Sequence, residues 1–274
     1  MEIKVFAKIN YILNIIGREG DYHTLDMVES NISLYDIVNI EKNNTNNCTI
    51  NLTSQISSIK KEQYIATIQK ILSKLLKNYS RAGLDIQIKK NIPLGAGLGG
   101  GSAPIVGIIK GIEQILGIKV DGDTLLSLGS DIPYMYEGGW ARVSHLGEKI
   151  KKLDGPKLDL IIALPNLGIN TKECYNKFDK ICISPIYKQK EIDLICKDIQ
   201  NIPQYTLFND LETPAILLNE EIENVFSTMR KHDLDPHMSG SGSAVFAIFN
   251  GNYEKDIQEQ LKNCGYTTFI VSTF

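Results

Sequence analysis

A chain of 274 residues, 43% hydrophobic and 22% charged, holds enough apolar surface for a substantial core and suits one large domain or two modest ones. Its formal net charge of -3 leaves no broad basic surface, which argues against a nucleic-acid partner, since that would need many cations to neutralise phosphates. The five cysteines, Cys48, Cys174, Cys182, Cys196 and Cys264, are odd in number and include no C-x-x-C pair, so neither a disulfide framework nor a zinc site is indicated and a reducing cytoplasm fits best.

In residues 2–16, Lys4, Lys8, Asn10 and Asn14 interrupt the apolar residues too often for a signal peptide or a membrane span. No membrane partner is expected. Alternation places Val5, Ala7, Ile9, Leu13 and Ile15 on one face of a strand and Lys8, Asn10 and Asn14 on a partly polar other face. Further strands are predicted over 31–41 and 48–53, around an Asn-rich loop spanning the Asn43 to Asn47 run, to which no chemistry attaches. Ile65, Ile68, Leu72, Leu75, Leu76 and Tyr79 recur at helical spacing over 62–79. Leu84, Ile86 and Ile88 alternate with Asp85, Gln87 and Lys89 in a strand that runs to Pro93, and a helix follows from Ala103 to Leu116, stopped by Gly117. A short helix over 123–129, a strand from Trp140 to Leu146 and a change of region near Asp154-Gly155-Pro156 come next, dividing the chain into 1–154 and 155–274. Beyond it the pattern predicts strands at Leu158–Leu164, Ala244–Phe249 and Thr267–Ser272, with helices over 188–199, 209–231 and 254–263. Strands and helices mixed without regular βα alternation indicate an α+β fold.

Between the strand ending at Pro93 and the helix lie Pro93, Leu94, Gly95, Ala96, Gly97, Leu98, Gly99, Gly100, Gly101 and Ser102. Such a loop lets backbone amides, with the positive end of the following helix, surround phosphate oxygens without a formal cation. Gly95, Gly97 and Gly100 also satisfy G-x-G-x-x-G, with Asp121 about twenty residues on, but the preceding strand alternates polar and apolar residues and little room is left for a second strand before Asp121. A P-loop would need a lysine that is absent here. A purely structural glycine turn remains open as an alternative.

The loop resembles the central ATP-binding motif of the GHMP kinases, and other segments match that family in the same order. Ala7-Lys8-Ile9-Asn10 and Gly20-Asp21-Tyr22-His23-Thr24-Leu25 resemble the opening of its diphosphocytidyl-methylerythritol kinase branch. Gly129-Ser130-Asp131-Ile132-Pro133, Phe208-Asn209-Asp210-Leu211-Glu212 and Met238-Ser239-Gly240-Ser241-Gly242-Ser243 continue the likeness over nearly the whole chain. One departure is Ala103-Pro104-Ile105-Val106, where the family usually places a hydroxyl, a polar residue and two alanines. The loop before Tyr22 is also about one residue shorter than usual.

The resemblance implies a two-lobed α+β GHMP kinase fold, with a ribosomal-protein-S5-like N-terminal region that binds ATP and a ferredoxin-like C-terminal region. It implies ATP and Mg²⁺ as cofactors and a small-molecule cytidyl diphosphate as the other substrate, while leaving oligomeric state and metal ligands undefined. By the same likeness Asp131 would accept a hydroxyl proton, Lys8 would orient Asp131 and neutralise developing charge, and Asn10 would help orient the site. Read in isolation, Lys8 is equally an edge-strand lysine reaching solvent and Asp131 a capping carboxylate. Tyr22, His23 and Tyr175 offer aromatic faces and hydrogen-bonding edges suited to a cytosine, with simple packing as the alternative. Gly240 and Gly242 would bring amides to phosphates, or form a tight structural turn. His145, His232 and His237 lack metal-ligand spacing. The competing activities are another GHMP kinase, for mevalonate, homoserine or a sugar, and a nucleotide-binding regulatory homologue.

Overall fold

Strands β1 (Glu2–Glu19) and β2 (Tyr22–Lys42) open the computed structural model, which describes residues 1–45, 47–54, 61–79, 83–181, 184–249 and 254–274. Asn46, Cys182 and the side chain of Tyr79 lie outside the described residues. Two compact units are present, and the two long strands contribute to both. Unit one comprises Met1–Ala7, Leu34–Leu94 and Gly99–Glu137; unit two comprises Lys8–Ser33, Gly95–Leu98 and Gly138–Phe274.

In unit one, β3 (Thr49–Ser54), α1 (Lys61–Tyr79), β4 (Leu84–Lys90), α2 (Ala103–Leu116), α3 (Gly122–Leu128) and α4 (Ile132–Glu137) follow in order. Strand β4 pairs parallel with β3 and antiparallel with β2, Ile40 lying opposite Ile86 and Val38 opposite Ile88. Ile68 and Leu72 of α1 and Ile108 and Ile112 of α2 pack onto Val38, Ile40, Ile86 and Ile88, so the predicted apolar stripes meet the predicted alternating strand. Gly107 and Gly111 lie one helical turn apart where α2 crosses β2. A Cβ there would fall 2.5 Å from Val38 Cγ2 and 2.3 Å from Ile40 Cγ2 respectively. At the exit of β4, the buried Lys90 ammonium meets the buried Asp36 carboxylate at 2.7 Å, and Asp36 also accepts from the Asn91 and Ile92 amides. Burial pushes the Asp36 carboxyl up and the Lys90 ammonium down, each opposed by the other's charge. This pair fixes the two residues that lead into the glycine loop.

Unit two adds β5 (Ala141–His145), β6 (Lys149–Lys152), β7 (Asp159–Leu164), α5 (Thr171–Ile181), α6 (Gln189–Lys197), a 3₁₀ turn at Ile199–Gln204, β8 (Phe208–Asn209), α7 (Glu212–Leu218), α8 (Glu221–Arg230), β9 (Pro236–Met238), β10 (Val245–Phe249), α9 (Glu254–Asn263) and β11 (Thr267–Ser272). An antiparallel sheet in the order β11-β7-β10-β9 carries α8 and α9. Residues 25–29 of β2 pair with β5, and Ile12 and Leu13 of β1 pair in parallel with β8. Tyr11 stacks on Trp140 at 4.7 Å and meets Phe246 edge-on, anchoring β1 in this core.

Two expectations are corrected. The single helix predicted over 209–231 is two, α7 and α8, because Asn219 turns extended (φ -147°) and its side-chain oxygen accepts from the Glu221 amide at the start of α8. The second strand begins at Tyr22, not near 31, and the supposedly polar face of β1 is buried as well. The polar residues that mask these strands in the sequence are paired. Asn14, for example, donates to Asp210 and to the Ile186 carbonyl.

Candidate active site

Lys8 is 3% exposed, which overturns its reading as a solvent-reaching edge lysine. Its ammonium donates to Asn10 Oδ1 and lies 3.5 Å from Glu29 Oε2. Asn10 Nδ2 donates to the same Glu29 oxygen at 3.0 Å, so the orientation of the amide is set by a cation on one side and a carboxylate on the other. The Asn10 amide N–H donates to Ser239 Oγ, and that hydroxyl donates in turn to the Gly97 carbonyl. A continuous set of hydrogen bonds therefore runs from Glu29 through Asn10 and Ser239 to the glycine loop.

The two glycine-rich segments are fastened together within unit two. Ala244 donates to the Ala96 carbonyl at 3.1 Å, Gly242 donates to the Ser239 carbonyl, and a Cβ on Gly97 would lie 1.9 Å from the Ser239 carbonyl oxygen. Only glycine fits position 97, whose φ of 72° is also left-handed. Asn209 Nδ2 donates to the Met238 and Gly240 carbonyls, and Asp210 accepts from the Ile15 amide. Burial pushes the Glu212 carboxyl up while it accepts from the Met238 amide. Residues 209–212 thus brace β1 and the turn at 238–242.

Farther along the loop, the Ser102 and Ala103 amides both return to the Gly99 carbonyl. The Ser102 hydroxyl makes no cap bond to α2, Ala103 is fully buried, and Pro104 occupies the first turn, where no helical bond is lost. Nothing lies within 4 Å of where a Cβ on Gly101 would project. An uncapped helix start, a free-standing hydroxyl and open space at Gly101 suit phosphate oxygens. Asp131 sits at the entry to α4 in unit one, its carbonyl accepting from the Met135 amide at 3.0 Å. Lys8 and Asn10 belong to unit two.

A second cluster gathers the aromatic candidates. His23 on β2 stacks on Tyr175 of α5, with centroids 4.8 Å apart and planes at 26°, and meets Phe178 edge-on. Its Nε2 lies 2.7 Å from Asp179 Oδ1, and Arg18 donates to Asp179 Oδ2 at 3.0 Å. Tyr22 is 71% exposed, outside this stack. Arg142 on β5 grips Asp26 of β2 through two bonds, of 2.6 and 2.8 Å, and reaches Asp193 of α6. That clamp steadies the strand carrying both His23 and Glu29.

Glu29, Ser239 and Asp179 were not singled out from the sequence. Glu29 carries no local cue, because its partner Asn10 lies 19 positions away on the other long strand. Asp179 carries no such cue either, because its link to His23 spans 156 positions.

A buried lysine on a strand, an amide locked beside it and two interlocked glycine segments, one leading into a helix, make a framework for handling phosphate groups. Two family models match the chain: GHMP kinases N terminal domain over residues 66–141 and GHMP kinases C terminal over residues 189–267. A Clostridium beijerinckii protein named 4-diphosphocytidyl-2-C-methyl-D-erythritol kinase is 33% identical, with 100% of each chain covered. A crystal structure of 4-(cytidine 5'-diphospho)-2C-methyl-D-erythritol kinase superposes with a TM-score of 0.79 at 26% identity, covering 99% of this chain and 98% of that one. The Methanococcus jannaschii mevalonate kinase structure, at 17% identity, TM-score 0.66 and coverage of 100% and 98%, shares the fold. The chain belongs to the GHMP kinases and, within them, to the 4-diphosphocytidyl-2-C-methyl-D-erythritol kinase family.

Proposed function

We propose that this enzyme uses ATP to phosphorylate the 2-hydroxyl of 4-diphosphocytidyl-2-C-methyl-D-erythritol, a step in non-mevalonate isoprenoid precursor synthesis. The full-length identity to a relative of that name carries this reading. The Tyr22-His23 pair and Tyr175 favour it over kinases for mevalonate, homoserine or sugars. A coupled ADP-release assay with the cytidyl substrate, free CDP and mevalonate tests it. ADP release with the first alone is expected; release with mevalonate would select another GHMP kinase, and binding without turnover a regulatory homologue.

The family regions fall on either side of Asp154-Gly155-Pro156, which supports an ATP-binding region over 1–154 and a C-terminal region over 155–274. When bound, ATP with Mg²⁺ supplies the phosphoryl group and screens its oxygens. Among the described residues no group of three or more His, Cys, Asp or Glu is placed to hold a metal. Magnesium carried on nucleotide phosphates, keeping several of its waters, needs no such group.

Phosphoryl transfer has a loose transition state in which charge spreads over oxygens, so the chain contributes alignment and electrostatics. Asp131 takes the proton of the attacking hydroxyl, and Lys8 balances negative charge at that oxygen and at the phosphoryl group. Asn10, with its amide held by Lys8 and Glu29, helps orient the site around Lys8. Gly240 and Gly242 bring backbone amides towards the substrate diphosphate, and residues 93–102 hold the nucleotide. Among the described residues no helix is long and apolar enough to cross a membrane; cytoplasmic action on a small-molecule substrate belongs to the same proposal.

The loop assignment has a clean test at Gly101, where a side chain meets open space in the protein and the backbone is not left-handed. Gly101→Val is expected to keep its unfolding midpoint while weakening ATP affinity tenfold or more, measured by calorimetry. Gly99→Val also weakens ATP binding, but its φ of 75° adds backbone strain. Unchanged ATP affinity in Gly101→Val would place the nucleotide elsewhere.

Tyr175→Ala removes a stacking partner, a loss of about 1–3 kcal/mol by analogy with base stacking on nucleic-acid-binding proteins. The KM for the cytidyl substrate therefore rises about tenfold or more, and that for ATP far less. Equal losses for both substrates in saturation kinetics would remove Tyr175 from the base pocket.

A further inference from the structure

We infer that Asp179 sets the base selectivity of the acceptor site by fixing which nitrogen of His23 carries the proton, an inference that rests on the cytidyl reading above. Asp179 stands in the last turn of α5, its carboxylate held from two directions: Oδ1 by His23 Nε2 at 2.7 Å and Oδ2 by Arg18 at 3.0 Å. A carboxylate paired with a guanidinium is an acceptor only, so the hydrogen in the His23 contact lies on Nε2. In the neutral imidazole Nδ1 then keeps its lone pair and becomes the acceptor of the ring.

The ring is prevented from turning over to exchange its two nitrogens. Tyr175 covers one face at 4.8 Å and Phe178 meets it edge-on at 6.1 Å, while rotation would sacrifice the Asp179 bond. Cytosine and uracil differ at the C4 substituent, where cytosine donates from an amino group and uracil accepts through a carbonyl oxygen. An Nδ1 lone pair directed at that position accepts from cytosine and repels uracil. Without Asp179 the proton is free to occupy either nitrogen, and Nδ1–H then donates to uracil. Asp179 is therefore a positioning residue, acting on the base only through His23 and distinct from the stacking contribution of Tyr175. A polar site rejects the wrong partner because a lone pair is left facing a lone pair.

The test compares kcat/KM for the cytidyl substrate and its uridyl analogue in wild type, Asp179→Ala and Asp179→Glu, with ATP saturating. Wild type is expected to favour the cytidyl compound. Asp179→Ala should lower that ratio at least tenfold, mainly through KM, and leave the KM for ATP unchanged, while Asp179→Glu recovers part of the ratio. Nitrogen-15 chemical shifts of His23 should report a proton on Nε2 in wild type and a mixture of both tautomers in Asp179→Ala. An unchanged ratio in Asp179→Ala overturns the inference, as does an equal fall for both substrates, which would mark a structural role alone. Either result leaves the kinase reading in place if cytidyl turnover persists in wild type. Wild type that turns over neither pyrimidine compound removes both.

Discussion

Asp131→Asn is expected to lower turnover by about 10²–10⁴-fold, the loss that follows removal of the base proposed above, and to leave the protein folded. The backbone bond from Met135 to the Asp131 carbonyl survives the substitution, so the start of α4 is kept. Lys8→Ala is expected to lose several orders of magnitude as well, by removing the charge proposed to balance the reacting oxygens. Its stability differs, however, because the deletion removes the ammonium that lies 3.5 Å from the Glu29 carboxylate, which is 1% exposed. Breaking one side of a buried ion pair typically costs about 3–5 kcal/mol, so the Lys8 variant should unfold at lower urea while the Asp131 variant does not. Single-turnover rates, with urea midpoints for both variants, check the pair of statements. Near-normal rates in both folded proteins would reject these two residues as the catalytic pair.

The second large effect concerns folding. Gly97→Ala places a methyl group 1.9 Å from the Ser239 carbonyl oxygen and forces a left-handed alanine, so backbone has to move at the junction of the two glycine segments. The expected loss is about 4 kcal/mol or more, a large share of the 5–15 kcal/mol that holds a typical domain together. Gly101→Ala, meeting nothing within 4 Å, should stay within about 0.5 kcal/mol of wild type. A chemical denaturation series on both variants decides it. A Gly97→Ala midpoint equal to that of Gly101→Ala would mean that the junction yields without cost.

These contrasts indicate what could be read from residues alone. Strand β4, α2 and β11 are legible because apolar alternation or helical spacing is regular there and Gly117, at φ 65°, ends α2 where expected. Strand β2 from Tyr22 to Asn31 is hidden by Asp26, Glu29, Ser30 and Asn31, which are buried only because Arg142, Asn10, Tyr11 and the Gly139 amide meet them. Those partners lie from 19 to 116 positions away, so no local pattern announces them. The same holds at the site. A glycine run signals its own backbone demands, and Lys8 and Asn10 carry family motifs. Asn10 Nδ2 meets the Glu29 carboxylate 19 positions away, and His23 meets Asp179 across 156. The break between α7 and α8 depends on one asparagine turning to cap the next helix, a choice that helical periodicity does not register.

Unit two is assembled from chain segments that synthesis separates widely, since Lys8–Ser33 must pair with Ala141–His145 and with Phe208-Asn209. A fragment beginning at residue 155 would therefore lack β1, β2, β5 and β6, exposing the unsatisfied edge of β8 and the face of Phe246 that Tyr11 meets. On the ribosome, β1 and β2 can pair with each other early, but the other edge of β1 waits for β8 until most of the chain has emerged. Such long-range closure slows folding and prolongs exposure of unpaired strand edges.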